Sequence, residues 1–158
     1  MSVVYLGIGS NIGEIKENFK KAIDLIRKTK EIQITKISDF YITKPVGGPK
    51  QENYLNGVIE IITTFIPQEL ILITKDIEKK LGRTLAKRNY PRIIDIDILF
   101  YDNLVIKRED LIIPHPRLHN RYFVLKGLFQ LNKEFVHPIF KKNIEILYKE
   151  LLQTNENI

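Results

Sequence analysis

Residues 88–102 read RNYPRIIDIDILFYD, and the fold turns on the run that follows Pro91. Side chains alternate across a strand with a period of two, so Ile94, Ile96 and Ile98 project from one face and Asp95 and Asp97 from the other. The apolar run is bounded by a proline before it and by Tyr101-Asp102-Asn103 after it, which predicts a buried strand. Two carboxylates inside such a strand need a reason. Each ionised group taken out of water costs several kcal/mol unless it is paired, and a divalent cation held by both would offset that cost. Oxygen donors in a chain without cysteine favour Mg²⁺ over zinc. The other reading is a solvated strand face that happens to carry two aspartates. Arg83, Lys87, Arg88 and Arg92 weigh against it, because cations clustered just ahead of a carboxylate pair suit a polyphosphate carried on magnesium. Strict alternation sends Arg92 to the face opposite Asp95, so reaching the same site requires it to lie at the strand entrance after Pro91.

Composition bounds the rest. A chain of 158 residues is expected to form one domain, residues 1–158, with a substantial core. Without cysteine there is no disulfide framework and no thiolate zinc site. No signal peptide and no membrane-spanning apolar run is read, so a cytoplasmic protein is expected. A net charge of +6 suits nucleic acid and a small, highly anionic ligand equally well. No repeat, low-complexity segment or linker divides the chain.

Upstream of the central stretch, residues 2–9 (SVVYLGIG) predict a strand, and Ser10-Asn11-Ile12-Gly13 a turn into a helix over 15–30 with Ile15, Phe19, Ala22, Ile23 and Ile26 inward. Gly7, Gly9 and Gly13 miss the dinucleotide spacing and no P-loop lysine follows, so a tight turn is expected rather than a phosphate cradle. Residues 32–42 predict a second strand. It ends at Lys44-Pro45-Val46-Gly47-Gly48-Pro49, a shaped loop suited to closing over a ligand or to simple connection. Residues 53–64 predict a third strand on which Tyr54 and Asn56 share a face. An aromatic surface beside an amide is what a flat, hydrogen-bonding heterocycle needs; a surface tyrosine beside a turn-side asparagine is the plainer alternative.

Pro67 opens a helix over 68–81 with Gly82 as its C-cap, and Lys75 and Glu78 read as an ordinary exposed pair. After the central strand, Tyr101-Asp102-Asn103 predicts a hairpin back through Leu104-Val105-Ile106. His115, bracketed by Pro114 and Pro116, is a candidate donor to phosphate, whereas His119 and His137 read as surface or structural. Residues 142–152 predict a final helix. Strand, helix, two strands, helix and strand is the order of a ferredoxin-like α+β sandwich with a mainly antiparallel sheet. Asp95 and Asp97 are expected on a central strand that opens into a cleft.

Four motifs, in this order and spacing, are specific together: Gly9-Ser10-Asn11, Tyr54-Leu55-Asn56 behind the Pro-Gly loop, PRIIDID over 91–97 and IPHPRLHNRYFVL over 113–125. Along nearly its whole length the chain resembles the 6-hydroxymethyl-7,8-dihydropterin pyrophosphokinase family. The resemblance implies the same fold, and transfer of pyrophosphate from ATP to the pterin hydroxymethyl group, releasing AMP, in folate biosynthesis. It also implies that Asp95 and Asp97 hold two Mg²⁺ ions on the ATP phosphates, that Arg83 and Arg92 neutralise the polyphosphate, and that the loop with Lys87 and Arg88 closes over it. His115 and Arg121 would contact nucleotide phosphates. The pterin would stack between Phe123 and Tyr54 beside Asp95, with Asn56, Thr43 and Val46 reading its polar edge.

The family's Trp-Gly-Pro-Arg is Asn89-Tyr90-Pro91-Arg92 here, and Lys126-Gly127-Leu128 stands where a proline-containing step is usual, a change expected to alter only local stiffness. The expected partners are ATP and the pterin, with no nucleic acid, no membrane and a monomeric state. The rival class is a basic nucleic-acid-binding module of the same fold, which explains the charge but leaves the aspartate pair without a role. A different metal-dependent phosphoryl or nucleotidyl transferase is a second alternative.

Overall fold

In the computed structural model, which describes residues 1–44, 50–82 and 93–154, the order is β1 (Ser2–Ser10), α1 (Ile15–Lys28), β2 (Ile32–Ile37), β3 (Tyr41–Thr43), β4 (Tyr54–Thr63), α2 (Pro67–Lys80) and β5 (Asp95–Tyr101). These are followed by β6 (Ile106–Arg108), β7 (Leu111–Ile113), a 3-10 turn at Leu118–Asn120, α3 (Tyr122–Asn132) and α4 (Ile144–Thr154). The main sheet has the order β2-β4-β1-β5, with β3 also paired to β4, and each of these pairings is antiparallel. This is the split βαβ arrangement expected of a ferredoxin-like α+β fold. Among the described residues, no helix is long and apolar enough to cross a membrane.

The alternation of β1 divides the protein into layers. Val4, Leu6 and Ile8 face a core closed by Phe19, Ala22, Ile23 and Ile26 of α1 and by Leu70 and Ile77 of α2. Tyr5 faces a second core built on Val124, Leu125, Leu128 and Leu131 of α3 and Ile144, Leu147 and Leu151 of α4. Polar groups seat the end of α3 on the sheet: Asn132 Nδ2 donates to the Tyr5 hydroxyl at 3.1 Å, and that hydroxyl donates to Glu60 Oε2 at 2.6 Å.

Several local expectations need correction. The strand expected over 32–42 is broken at Ser38, whose N–H donates to the Val58 carbonyl while its Oγ accepts the Val58 N–H, each at 2.9 Å. A side chain has replaced one rung of the ladder. The hairpin through Leu104-Val105-Ile106 does not return along β5, because Ile106 pairs with Ile113 in a separate two-stranded sheet of β6 and β7. The outer edge of β5 is otherwise engaged: Ile96 N–H donates to Glu78 Oε2 at 2.7 Å and Leu99 C=O accepts the His115 N–H at 3.0 Å. Among the described residues, Asp95 and Asp97 therefore lie on an outer strand of the sheet rather than a central one, since β5 pairs there only with β1.

α3 is not predicted from the sequence: it is an almost wholly apolar run with Gly127 at its middle, where glycine costs about 1 kcal/mol relative to alanine. Packing explains the glycine. A Cβ at position 127 would lie 2.5 Å from Val58 Cγ2 and 3.0 Å from Val58 Cβ, so α3 rests directly on β4. The Lys126-Gly127-Leu128 step thus sets a helix-to-sheet distance, not merely local stiffness. Gly127→Ala is expected to lower stability in urea unfolding by about 1–3 kcal/mol through overpacking, despite the better helix propensity of alanine.

His137 is buried, and its Nδ1 accepts the N–H groups of Ile139 and Phe140 at 3.1 and 3.2 Å while its ring stacks on Phe140. Burial first, and then the charge of neighbouring His119, lower its pKa from 6.5 to about 4. The unfolded chain therefore binds the proton more readily, and a proton on Nδ1 would displace both acceptor bonds. Linkage gives the sign: the contribution of this group to stability is complete above pH 6.5 and is lost as the pH falls toward 4. Chemical denaturation across that window should show the decline in wild type and a flatter profile in His137→Phe.

Candidate active site

One face of the sheet changes character along its length. Near the α3 and α4 core it is apolar, but toward the C-terminal end of β1 the register sets Tyr41, Asn56, Gly9 and Asp95 in one row across four strands. The next row places Gly7 between Val58 and Asp97. Cross-strand partners share a face, so both aspartates look across strand positions that carry no side chain. The space above these glycines is a cleft of about 590 Å³.

A bulge keeps the two halves of β5 in register with their surroundings. Leu6 pairs with Ile98 and Tyr5 with Phe100, leaving Leu99 as the extra residue. Leu99 and Phe100 consequently both join the α3 and α4 core, while Tyr101 turns to the opposite one. The bulge gives β5 a polar end and an apolar end on the same face.

The cleft gathers every described residue singled out from the sequence: Asp95, Asp97, His115, Arg121, Thr43, Tyr54, Asn56 and Phe123 all line it. Val46, Arg83, Lys87, Arg88 and Arg92 lie outside the described residues, as do Asn89, Tyr90 and Pro91.

Asn56 is buried, and its Nδ2 donates to Thr43 Oγ1 at 2.6 Å. That bond fixes which end of the amide faces where: a methyl on Gly9 would come 3.2 Å from Asn56 Oδ1, so an acceptor oxygen overhangs the cleft floor. His115 is oriented from behind. Its Nδ1 accepts the Arg117 N–H at 3.2 Å, which assigns the ring proton to Nε2 in the neutral form, and Nε2 sits 3.9 Å from Asp97 Oδ2. The ring is largely covered, whereas the Asp97 side chain is 34% exposed to the cleft.

Two features of the site differ from what the sequence predicts. Glu78, expected to be half of an exposed pair, is buried and holds the Ile96 N–H between the two aspartates, although Lys75 is exposed as expected. The signal was available: Leu70, Thr74 and Glu78 fall on one stripe of α2, four residues apart, and all three are buried. Gly7 and Gly9 also had a signal, because they alternate with Leu6 and Ile8 and so leave one face of β1 bare. Outside the cleft lining, Asn11 of the Gly9-Ser10-Asn11 motif is almost fully buried and donates through Nδ2 to Gln51 Oε1 at 2.7 Å and to the Glu52 carbonyl at 3.0 Å, tying the turn after β1 to the chain entering β4.

Asp95 and Asp97 fit magnesium chemically. Both are oxygen donors on one strand face at the cleft. No group of three or more metal-binding side chains occurs among the described residues, and Mg²⁺ is usually held by one or two carboxylates together with water and substrate phosphates.

The family model described as 7,8-dihydro-6-hydroxymethylpterin-pyrophosphokinase matches residues 5–133. A 2-amino-4-hydroxy-6-hydroxymethyldihydropteridine pyrophosphokinase of Aquifex aeolicus is 41% identical over 145 residues, which is 92% of this chain and 89% of that one. The Bacillus subtilis protein of the same name is 40% identical over 130 residues, 82% of this chain and 78% of its own. Bifunctional protein FolKE of Lactococcus lactis is 43% identical over 136 residues, 85% of this chain, and the match spans only 39% of that relative's length. Among solved structures, a Plasmodium falciparum HPPK-DHPS superposes with a TM-score of 0.75 at 18% identity, covering 100% of this chain and 46% of that one; at this identity the likeness speaks for the fold alone.

Proposed function

Because the chain belongs to the 7,8-dihydro-6-hydroxymethylpterin-pyrophosphokinase family, we propose that it transfers pyrophosphate from ATP to the hydroxymethyl group of 6-hydroxymethyl-7,8-dihydropterin, a step of folate biosynthesis. The observation that carries the reading is the row Asn56-Gly9-Asp95. It puts an amide suited to a heterocycle edge and a carboxylate suited to a metal on either side of a bare glycine.

In this reading the pterin ring lies between Tyr54 and Phe123. Asn56 Oδ1 accepts a ring N–H, and backbone groups at Thr43 and Val46 complete the polar edge. The hydroxymethyl oxygen then lies toward Asp95. It attacks the β-phosphorus of ATP, the bond from that phosphorus to the α–β bridging oxygen breaks, AMP leaves, and the hydroxyl proton passes to solvent. Two magnesium ions held by Asp95 and Asp97 would draw charge from the phosphate oxygens and favour the alkoxide form of the attacking hydroxyl. His115 donates from Nε2 to a phosphate oxygen, and Arg121 meets the same chain of phosphates from the rim. Arg83, Lys87, Arg88 and Arg92 supply the remaining positive charge. No separate general base is demanded, since catalysis of this kind is mainly positioning and charge neutralisation. Holding the two substrates in line is worth about 7–11 kcal/mol at best.

The two cores share one sheet, which supports reading residues 1–158 as a single domain; action on small molecules as a cytoplasmic monomer is part of the same proposal. Without a bound metal, two carboxylates at the cleft floor repel a phosphate backbone, which counts against a nucleic acid held by basic charge alone. The test is product analysis with ATP and Mg²⁺. Wild type should release AMP and form pterin diphosphate only when the pterin is present, and the activity should vanish with a chelator. Release of ADP, or AMP formation indifferent to the pterin, would overturn the reading.

A further inference from the structure

Lys126 is the only charged side chain on α3, and its surroundings are aromatic. Its Nζ lies 4.5 Å from the centre of the Tyr41 ring and 5.5 Å from that of Tyr122. Neither ring lines the cleft, but each sits on an element that contributes lining residues: Thr43 on β3, and Phe123 and Val124 on α3. Tyr41 is on β3, in register with Asn56 and two residues from Thr43. Tyr122 opens α3 immediately before Phe123.

One turn further along α3 the same stripe continues. Gln130 Oε1 accepts the Tyr41 hydroxyl at 2.9 Å and the Asp39 N–H at 2.8 Å. Tyr122 is itself secured to α4: its ring lies 5.8 Å from that of Tyr148, and a hydrogen bond with Tyr148, helped by the Lys126 charge, holds its hydroxyl below the ordinary tyrosine range. The strand so gripped is short. β3 has three residues and, among the described residues, pairs only with β4, and Ile42 at its centre is 60% exposed. Apolar burial therefore contributes little to its placement, and the contacts from Lys126 and Gln130 tie its outer side to α3.

We propose that Lys126, by bridging Tyr41 and Tyr122, is a positioning residue that sets the separation between the wall carrying Asn56 and Thr43 and the wall carrying Phe123, and so tunes the slot for the flat heterocycle. The proposal rests on the functional reading above. An ammonium over a ring face is attracted by the ring quadrupole, and two faces on separate elements convert that attraction into a distance constraint. An uncharged chain of similar length fills the space without holding the rings to it. A planar guanidinium stacks on both.

The experiment compares wild type with Lys126→Met and Lys126→Arg in two measurements: binding of 6-hydroxymethyl-7,8-dihydropterin by its own fluorescence, and steady-state AMP formation with each substrate varied. Lys126→Met should weaken pterin binding and raise the pterin KM by about fivefold or more. Its KM for ATP should stay within about twofold of wild type, and Lys126→Arg should restore most of the pterin affinity. A general structural role would instead move both KM values together and lower the melting temperature. That outcome, an unchanged pterin affinity in Lys126→Met, or failure of arginine to restore it would overturn the proposal. Wild type that binds no pterin would overturn the functional reading and this proposal with it, whereas firm wild-type binding that Lys126→Met leaves intact removes this proposal alone.

Discussion

Asp97→Ala is expected to lower pterin-dependent AMP formation by about 10³-fold or more, since a metal site of this kind contributes several kcal/mol of transition-state stabilisation. The same substitution should leave the melting temperature unchanged or slightly raised. Asp97 sits on an outer strand, one-third exposed, opposite a glycine, so little apolar burial is lost with it. Removing one of two neighbouring carboxylates also relieves their repulsion. Stability and activity should therefore separate, with steady-state kinetics and a thermal melt of the same preparation as the check. A loss under tenfold would show that Asp97 does not hold the phosphates' metal; a loss of activity matched by a collapse in melting temperature would assign the residue to the fold instead.

Gly9→Val is the second large effect, and it acts on the other substrate. The backbone at Gly9 is ordinary strand, not the left-handed region, where only Gly13 and Gly82 among the described glycines lie. A side chain is thus permitted by conformation and excluded only by what it would occupy. Its first carbon would press on Asn56 Oδ1 at 3.2 Å and lie near the Tyr54 ring at 3.8 Å. Its methyls would stand where the heterocycle meets the amide. The expected cost is about 1–3 kcal/mol of pterin binding, or roughly 5- to 150-fold in KM, from overpacking a shaped slot. ATP binding should change little. A pterin KM within twofold of wild type would move the heterocycle away from the Asn56-Gly9-Asp95 row.

Where the physics is local, the sequence was a good guide. The alternation of Asp95 and Asp97 against Ile94, Ile96 and Ile98, the α1 stripe of Phe19, Ala22, Ile23 and Ile26, and the sharing of a face by Tyr54 and Asn56 depend only on strand or helix period, and each appears in the structure. What was not legible depends on contacts distant in the chain. Gly127 reads as a helix breaker until Val58 is seen pressed against it. Glu78 reads as surface until the Ile96 N–H requires an acceptor at the edge of β5. The outer position of β5 follows from strand order, which no window of sequence carries. Lys126 is the clearest case, because its partners Tyr41 and Tyr122 lie on different elements and one of them is 85 residues away in sequence.

The most direct test of the central claim, that the carboxylate pair holds metal on a polyphosphate beside the heterocycle slot, is a Mn²⁺ binding titration followed by electron paramagnetic resonance. The samples are wild type and an Asp95→Asn/Asp97→Asn variant, each with an unreactive ATP analogue and the pterin present. Two tightly held ions in wild type, and none in the variant while it still melts cooperatively, is the predicted result. Equal stoichiometry in the two proteins, or no tight Mn²⁺ in wild type, would contradict it.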